Sequence, residues 1–404
     1  MHIPEAPEIA AVRETVRRFV ASEVSPAIDG YERSGVFPRD LIARMGAMGF
    51  FGGAFPERLG GNAMGFGAVA AIAEELSRLA PELGYAMNMQ AMTCPYTIYN
   101  WGTEEQVNKF VPDLIAGRKI GMFGLTEPGG GSDAAGSMRT TARRDGDVYR
   151  LNGSKQWITF ANACDTGLLF AKTDPNAGHR GITAFIVEPK GRPGFTAHPI
   201  DMPGLSNCLR SCSVFLEDFV VPVENRLGAE GAGFKIAMNG LEYGRLTVSA
   251  RLLGLAEACL ELAVAYARDR SVGGSPIGRY QMVQHQIADM VVNIEAARLM
   301  IARIGVLMDD GERSTRVSSQ GKYFAGLTAR HAAQATADIF GAYALAKEYP
   351  INKLTAYIQM LCVGEGTPNI QRVLIAEDAL GYKDADRHPP RNRFFDESHQ
   401  GDET

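Results

Sequence analysis

Apolar residues change their period twice along the chain. Ile9, Val12, Val16, Phe19 and Val24 recur at helical spacing, and Pro26 is expected to stop that helix. Residues 41–48 form a second short amphipathic run. Residues 49–67 are rich in glycine and read as a loop, and residues 68–79 and 103–116 read as further helices. From Gly121 the apolar positions alternate. Residues 140–142, a turn at 144–147 and residues 148–151 predict a hairpin. Residues 157–160, 167–172, 183–188, 195–200 and 213–219 predict more short strands, separated by turn signals such as Asn152-Gly153 and Asp174-Pro175-Asn176. Short strands at this spacing suggest a small antiparallel barrel or sandwich. After Gly233 the helical period returns. Val283, Ile287, Met290, Ile294, Ala297, Ile301, Ile304 and Met308 step by four and three, the seam of a bundle helix, and residues 318–340, 351–363 and 369–380 predict three more. The expected organisation is an α-helical domain over 1–120, a β domain over 121–228, a helical bundle over 229–386 and a loose polar tail over 387–404.

The chain has 404 residues, which favours two or three cores over one. A net charge of −5, with no clustered Lys or Arg, argues against a surface that tracks nucleic-acid phosphates. The six cysteines are dispersed and read as reduced thiols of a cytoplasmic protein; Cys208 and Cys212 lack the second pair that zinc requires. No basic segment followed by an apolar run opens the chain, and no run nears the ~20 apolar residues of a membrane helix. There is no Gly-x-Gly-x-x-Gly, no Walker A sequence and no nucleophile elbow, and the seven histidines do not fall at ligand spacing.

Chemistry concentrates in two stretches. In residues 123–133, Phe-Gly-Leu-Thr-Glu-Pro-Gly-Gly-Gly-Ser-Asp, three glycines let the backbone turn sharply and approach a bound group. Glu127 and Asp133 read as parts that hold this turn through backbone N–H groups. In residues 360–367, Met-Leu-Cys-Val-Gly-Glu-Gly-Thr, Glu365 interrupts an apolar run, where burial would raise a carboxylate toward working pH. Taken alone, Glu365 would more readily cap a helix starting near Thr367. Met87, Met89 and Met92 read as core, or as an adaptable pocket lining. Trp101 reads as core and His285 as packing or surface.

Residues 125–133, together with Asn152-Gly153-Ser154-Lys155-Gln156-Trp157-Ile158-Thr159, Glu230-Gly231-Ala232-Gly233-Phe234, Glu242-Tyr243-Gly244-Arg245 and Glu365-Gly366-Thr367, resemble the acyl-CoA dehydrogenase family in order and spacing. The resemblance runs from about Glu14 to Tyr382 and implies an α+β multidomain fold: an N-terminal α-helical domain, a central antiparallel β-barrel and a C-terminal four-helix bundle. It implies FAD, with Phe123, Leu125, Thr126, Gly131, Ser132, Trp157 and Thr159 lining the flavin and its pyrophosphate. From a second subunit it brings Arg270, Gln281, Asp338, Gly341, Ala342, Thr367 and Asn369. It implies Ser132, Glu242, Tyr243, Gly244, Arg245 and Gly366 along the substrate, a reading favoured over Glu242 and Arg245 as an exposed helix pair worth ~0.2–0.5 kcal/mol. Glu365 becomes the base that takes the α-proton of an acyl-CoA thioester, the flavin N5 takes the β-hydride, and a trans-2-enoyl thioester results. Some relatives carry this Glu where Gly244 stands. An electron-transfer flavoprotein as acceptor and a homo-oligomer, dimer or tetramer, complete the expectation.

The chain also departs from the family. Gly273 replaces a Phe that packs on the neighbouring subunit's FAD, residues 338–344 replace a glycine-rich segment, and Ala356-Tyr357 replaces an Arg-Asp pair. The nearest flavour is the glutaryl-CoA dehydrogenase-like branch, but Ala86 stands where that branch places an Arg for the distal carboxylate, so an apolar or unusual acyl chain is expected. Alternatives within the same fold are a dehydrogenase of a carrier-protein-bound acyl or aminoacyl group and a flavin oxidase or monooxygenase. A scaffold that has lost FAD is a third.

Overall fold

The computed structural model describes residues 6–386, 388 and 390–399. Helix α1 (Pro7–Phe19) does not end at Pro26. It widens into a π-helical turn over Val20–Val24 and continues as α2 (Ser25–Ser34), with Pro26 in the new first turn. The π turn, in which Ser25 N donates five residues back to Val20 O, shifts the hydrogen bonding just ahead of the position where Pro26 lacks an N–H. Helix α3 (Arg39–Ala47) matches the second amphipathic run. Helix α4 (Gly65–Leu79) begins inside the expected loop, because Asp309 of a distant helix accepts from Phe66 N at 2.7 Å and Gly67 N at 3.4 Å. A short turn α5 (Gly84–Ala86) runs into a π-helical segment, Met87–Thr93, and then α6 (Pro95–Trp101). Met87, Met89 and Met92 are buried here. Helix α7 (Glu104–Ile115) opens with a capping box between Thr103 and Gln106.

The β region is one eight-stranded sheet: β1 (Gly121–Gly124), β2 (Thr141–Asp145), β3 (Val148–Thr159), β4 (Thr166–Lys172), β5 (Ile182–Val187), β6 (Phe195–Pro199), β7 (Ser211–Pro222) and β8 (Arg226–Leu227). The order is β6-β7-β3-β2-β4-β5-β8, with β1 on β4. Two expectations are corrected. The pairing does not close into a barrel, and the sheet is mixed, since β1 and β2 both pair with β4 in parallel. Residues 157–160 are also no separate strand. Trp157, Ile158 and Thr159 extend β3 past a bulge against β7 between Lys155 and Ile158, and Phe160 begins the following turn. Tyr149, Leu151, Leu169, Phe185, Val214 and Phe219 form the sheet's own core.

Helix α8 (Gly233–Asp269) runs through the second helical region, packed by α4, the π segment and its bundle neighbours. A hairpin of β9 (Ser271–Val272) and β10 (Ser275–Pro276) leads to α9 (Gln281–Asp309), α10 (Thr315–Phe340), α11 (Ile351–Val363) and α12 (Pro368–Ala379). The hairpin turns on Gly273 and Gly274, with φ of +59° and +81°, so Gly273 stands where a two-residue turn needs positive φ at both central positions. Ion pairs on the buried Glu74 and Glu75 tie α1 to α4 and, through Arg298, tie α4 to the second helical region. Arg13 meets Glu74 at 2.7 Å, Arg17 meets Glu75 at 2.7 Å, and Arg298 of α9 closes on Glu74.

The tail is not loose over its described part. Helix α13 (Arg393–Ser398) docks on α6: Asn392 accepts from Tyr96 Oη at 2.7 Å, Arg391 covers the half-buried Trp101 ring at 4.3 Å, and Phe394 packs edge-on against Phe66. A polar composition suggested freedom, but most of these polar groups are paired.

Candidate active site

Helix α11 ends at Val363, and Glu365 adopts a φ of +53°. A non-glycine residue there carries ~1–3 kcal/mol of strain and persists only if its surroundings hold it. They do. The buried Lys322 of α10 donates to Gly366 O at 2.6 Å and Cys362 O at 3.3 Å, Gln371 donates to Gly366 O at 3.2 Å, and Thr367 caps α12. The Glu365 side chain is turned onto α8. Its two oxygens lie 2.4 and 2.6 Å from where a Cβ on Gly244 would stand, so any larger residue there would displace the carboxylate. Oε1 accepts from Asn88 Nδ2 at 2.5 Å, and Oε2 is buried without a partner. Thr247 Oγ1 lies 2.6 Å from Asn88 Oδ1 and fixes which way that amide points.

Burial raises the Glu365 carboxyl to about 7, against the pull of the Asn88 N–H and of Lys322, Arg245 and Arg251. Burial likewise lowers the Lys322 ammonium. A carboxylate half-titrated near neutrality, with one unpartnered oxygen, can take a proton from a neighbouring carbon acid.

The glycine-rich turn lies on the sheet side. Gln156 N donates to Thr126 O at 2.9 Å, pinning the turn beside Trp157. Trp157 sits at the β3 bulge with φ +63° and is 55% exposed, while Gly131 and Ser132 are exposed next to Thr126. Phe123 tilts against Phe170 at 5.0 Å, Leu125 is buried, and Thr159 Oγ1 lies 3.4 Å from Ser211 Oγ. Glu127 accepts from Arg139 N at 2.6 Å, Thr140 N at 3.0 Å and the buried Lys155 at 2.8 Å. Burial works against its charge, but Lys155 and these donors leave its carboxyl below the usual range. Asp133 accepts from Gly136 N. Both carboxylates hold the turn.

The remaining expected residues fall into two groups. Arg245 is buried, with its Nε unpartnered, so it is not half of an exposed helix pair. Glu242 instead accepts from Ser314 and Thr315, at 2.8 and 2.9 Å. Tyr243 is turned away from Glu365, between Phe66 and Tyr96, and donates to Arg391 O at 3.0 Å. Gly366, Thr367 and Asn369 flank Glu365 in sequence. Arg270 lies over Tyr343 at 5.5 Å, beside Gly341 and Ala342; Gln281 is exposed, and Asp338 accepts from Gln334. Among the described residues, no hydrogen bond, ion pair or ring contact joins this second group to Trp157 or Thr126.

Asn88, Thr247 and Lys322 were not singled out from the sequence. A π-helical segment has no 3.6-residue period to read, so Asn88 left no signal. Lys322 did leave one, since it stands four residues after Ser318 on the buried stripe of α10 that Ala325 and Ala329 continue.

Residues 6–118, 122–219 and 231–380 match the models of the acyl-CoA dehydrogenase N-terminal, middle and C-terminal domains. The chain is 37% identical to a glutaryl-CoA dehydrogenase of Desulfococcus multivorans, over 94% of this chain and 98% of the relative. The chain belongs to the acyl-CoA dehydrogenase family. It is also 36% identical to the caffeyl-CoA reductase-Etf complex subunit CarC of Acetobacterium woodii, over 90% of this chain and 96% of that one. A solved glutaryl-coenzyme A dehydrogenase in complex with glutaryl-CoA superposes with a TM-score of 0.91 at 36% identity, covering 96% and 99% of the two chains. FAD-dependent dehydrogenation of acyl-CoA is this family's reaction, and its architecture of helical, sheet and helical domains is the one found here. The residues present fit FAD. The exposed Trp157 face offers a flat apolar surface to an isoalloxazine ring, and a Cβ built at Gly131 would meet only Thr126 Cγ2, at 3.6 Å, leaving the turn open to a pyrophosphate.

Proposed function

We propose that this acyl-CoA dehydrogenase uses Glu365 as its base, facing a thioester laid between α8 and the Trp157 side of the sheet. The observation that carries the assignment is the enclosed Glu365 carboxylate over Gly244, with one oxygen held by Asn88 and the other without a partner. A substrate α-C–H presented to Oε2 would give that oxygen its proton. The Glu365 N–H has no backbone acceptor among the described residues, which supports a role as donor to the thioester oxygen while negative charge develops there. FAD, when bound, supplies the acceptor for the hydride from the β-carbon. Phe123, Leu125, Thr126, Gly131, Ser132, Trp157 and Thr159 would hold it, and Gly244, Arg245 and Gly366 would line the thioester. Glu242 and Tyr243 are engaged elsewhere and would act through the placement of α8.

The same reading includes a partner copy that contributes Arg270, Gln281, Asp338, Gly341, Ala342, Thr367 and Asn369. The exposed Met282, Val291, Val292, Leu299, Met300 and Val306 of α9 support such an oligomer. It includes domains at 1–120, 121–228 and 229–386, the first helical, the second built on the open mixed sheet and the third a four-helix bundle of α8 to α11. An electron-transfer flavoprotein as acceptor is supported by the Etf-complex relative, and a reducing, cytoplasmic setting by six buried, unpaired cysteines.

Purified protein loaded with FAD should show a flavin absorption band that an acyl-CoA panel bleaches without oxygen. A bound flavin that no acyl thioester reduces would overturn the dehydrogenase reading.

A further inference from the structure

Arg251 lies seven residues after Gly244 on α8, two turns further along the same face and about 10 Å along the axis. It is 2% exposed, and its guanidinium makes no hydrogen bond or ion pair with any described residue. Both Nε and Nη2 are buried and unpartnered. Its one aromatic contact is with Tyr85, whose ring it covers at 5.0 Å. Three more unpartnered polar atoms gather around it from three other elements. The Tyr85 and Tyr357 hydroxyls belong to rings 6.0 Å apart, and Ser77 Oγ and Arg251 Nε both flank Gly84, at 2.5 and 2.9 Å from its Cβ position. The nearby acids are already engaged: Glu82 pairs with Lys353, Glu32 accepts from Ser206 and Asn207, and Glu365, which favours the Arg251 charge without pairing with it, is turned onto Gly244 and held by Asn88.

A buried guanidinium with no ion pair or hydrogen bond of its own is expensive, and so is each unpaired buried hydroxyl beside it. Four such groups from α4, α5, α8 and α11 share a need for one acceptor-rich anion. A planar carboxylate matches a guanidinium fork in shape and charge. We propose that Arg251, with Tyr85, Tyr357 and Ser77, binds a carboxylate at the far end of the acyl chain. The substrate is then an acyl thioester with an ω-carboxyl group. This rests on the base assignment, because Glu365 fixes where the α-carbon lies and α8 sets the direction in which the chain runs. It revises the expectation of an apolar acyl chain. Ala86 offers no cation, but Arg251 brings one from the neighbouring helix to Tyr85, the residue just before it.

The test is a pair of CoA thioesters of equal chain length, one ending in methyl and one in carboxylate, repeated over several lengths. Binding is measured by calorimetry to the FAD-loaded Glu365→Gln protein, which is expected not to turn them over. At the best length the carboxylate-ended thioester should bind at least tenfold tighter. Arg251→Met in the same background should cost it at least tenfold more affinity than it costs the methyl-ended one, and Arg251→Lys should restore part of the difference. Equal binding of the pair at every length, or equal losses in Arg251→Met, would overturn the proposal. If Arg251→Met does not fold, Tyr85→Phe and the unsubstituted pair comparison decide. Failure of the dehydrogenase reading shows separately, as unbleached flavin in the native holoenzyme whichever thioester binds.

Discussion

Two non-glycine residues of the site, Glu365 and Trp157, share a left-handed backbone, with φ of +53° and +63°, but their surroundings are opposite. Glu365 lies over Gly244, held by Asn88 through its side chain and by Lys322 through the adjacent carbonyls. Trp157 stands at a sheet bulge, more than half exposed, held chiefly through its neighbour Gln156. Enclosure tunes a charge, because it removes water from a carboxylate and makes each nearby dipole count. Exposure keeps a surface free for a large planar group. The comparison separates an acid–base half that is built in advance from a cofactor half that is left open.

The strongest test of the enclosed half is Glu365→Gln. Flavin reduction by an acyl thioester should fall roughly 10²–10⁴-fold in stopped-flow absorbance while thioester binding is retained. A normal rate would remove the base assignment. Next, Gly244→Ala places a methyl where the carboxylate oxygens lie, and the displaced carboxylate should lower the maximal rate about 10²-fold. An unchanged rate would show that the carboxylate can work from elsewhere.

The third test uses pH. The base must be ionised, so below about 7 the reduction rate should fall about tenfold per pH unit. Stability moves the other way. The folded-state value lies above the ordinary carboxyl value, so between roughly 4.5 and 7 the folded state binds more protons than the unfolded state. Stability from this group is therefore full below that window and is lost as pH rises through it. Glu365→Gln removes the loss, so its melting temperature should exceed the native protein's most at pH 8 and least near pH 4.5. Lys322→Met should move the rate limb to higher pH, because one cation beside the carboxylate is gone, and lower stability by about 1.5–3 kcal/mol. A limb that stays in place would assign Lys322 to packing alone.

The smallest effect belongs to the open half. Trp157→Ala should weaken FAD retention by the ~0.5–1.5 kcal/mol of an aromatic stack, read by fluorescence titration, while the pH limb stays where it is. A shifted limb would mean that the two halves are not separable.

Much of the fold was legible because period and turn chemistry are local. The seam of α9, the helix after Thr103 and the strands from 166 to 219 each follow from residues within a turn or a strand of one another. Local rules failed where a distant group did the work. Helix α4 starts at Gly65 because Asp309, more than 240 residues later, accepts its first N–H groups. The tail docks because Asn392 and Phe394 find Tyr96 and Phe66. The α1–α2 helix survives Pro26 because a π turn resets its hydrogen bonding.

The glycine turn at 129–131, the order of the three regions and the family to which the chain belongs were set by the sequence itself, since motif spacing carries them. Only the tertiary structure decided which charges stand together. Asn88 from a π-helical segment, Lys322 from one bundle helix and Gly244 from another meet around Glu365, and Arg251 reaches Tyr85 without a partner of its own. Charge, burial and unpaired donors are properties of neighbours in space, and no local pattern in a chain says which neighbours those will be.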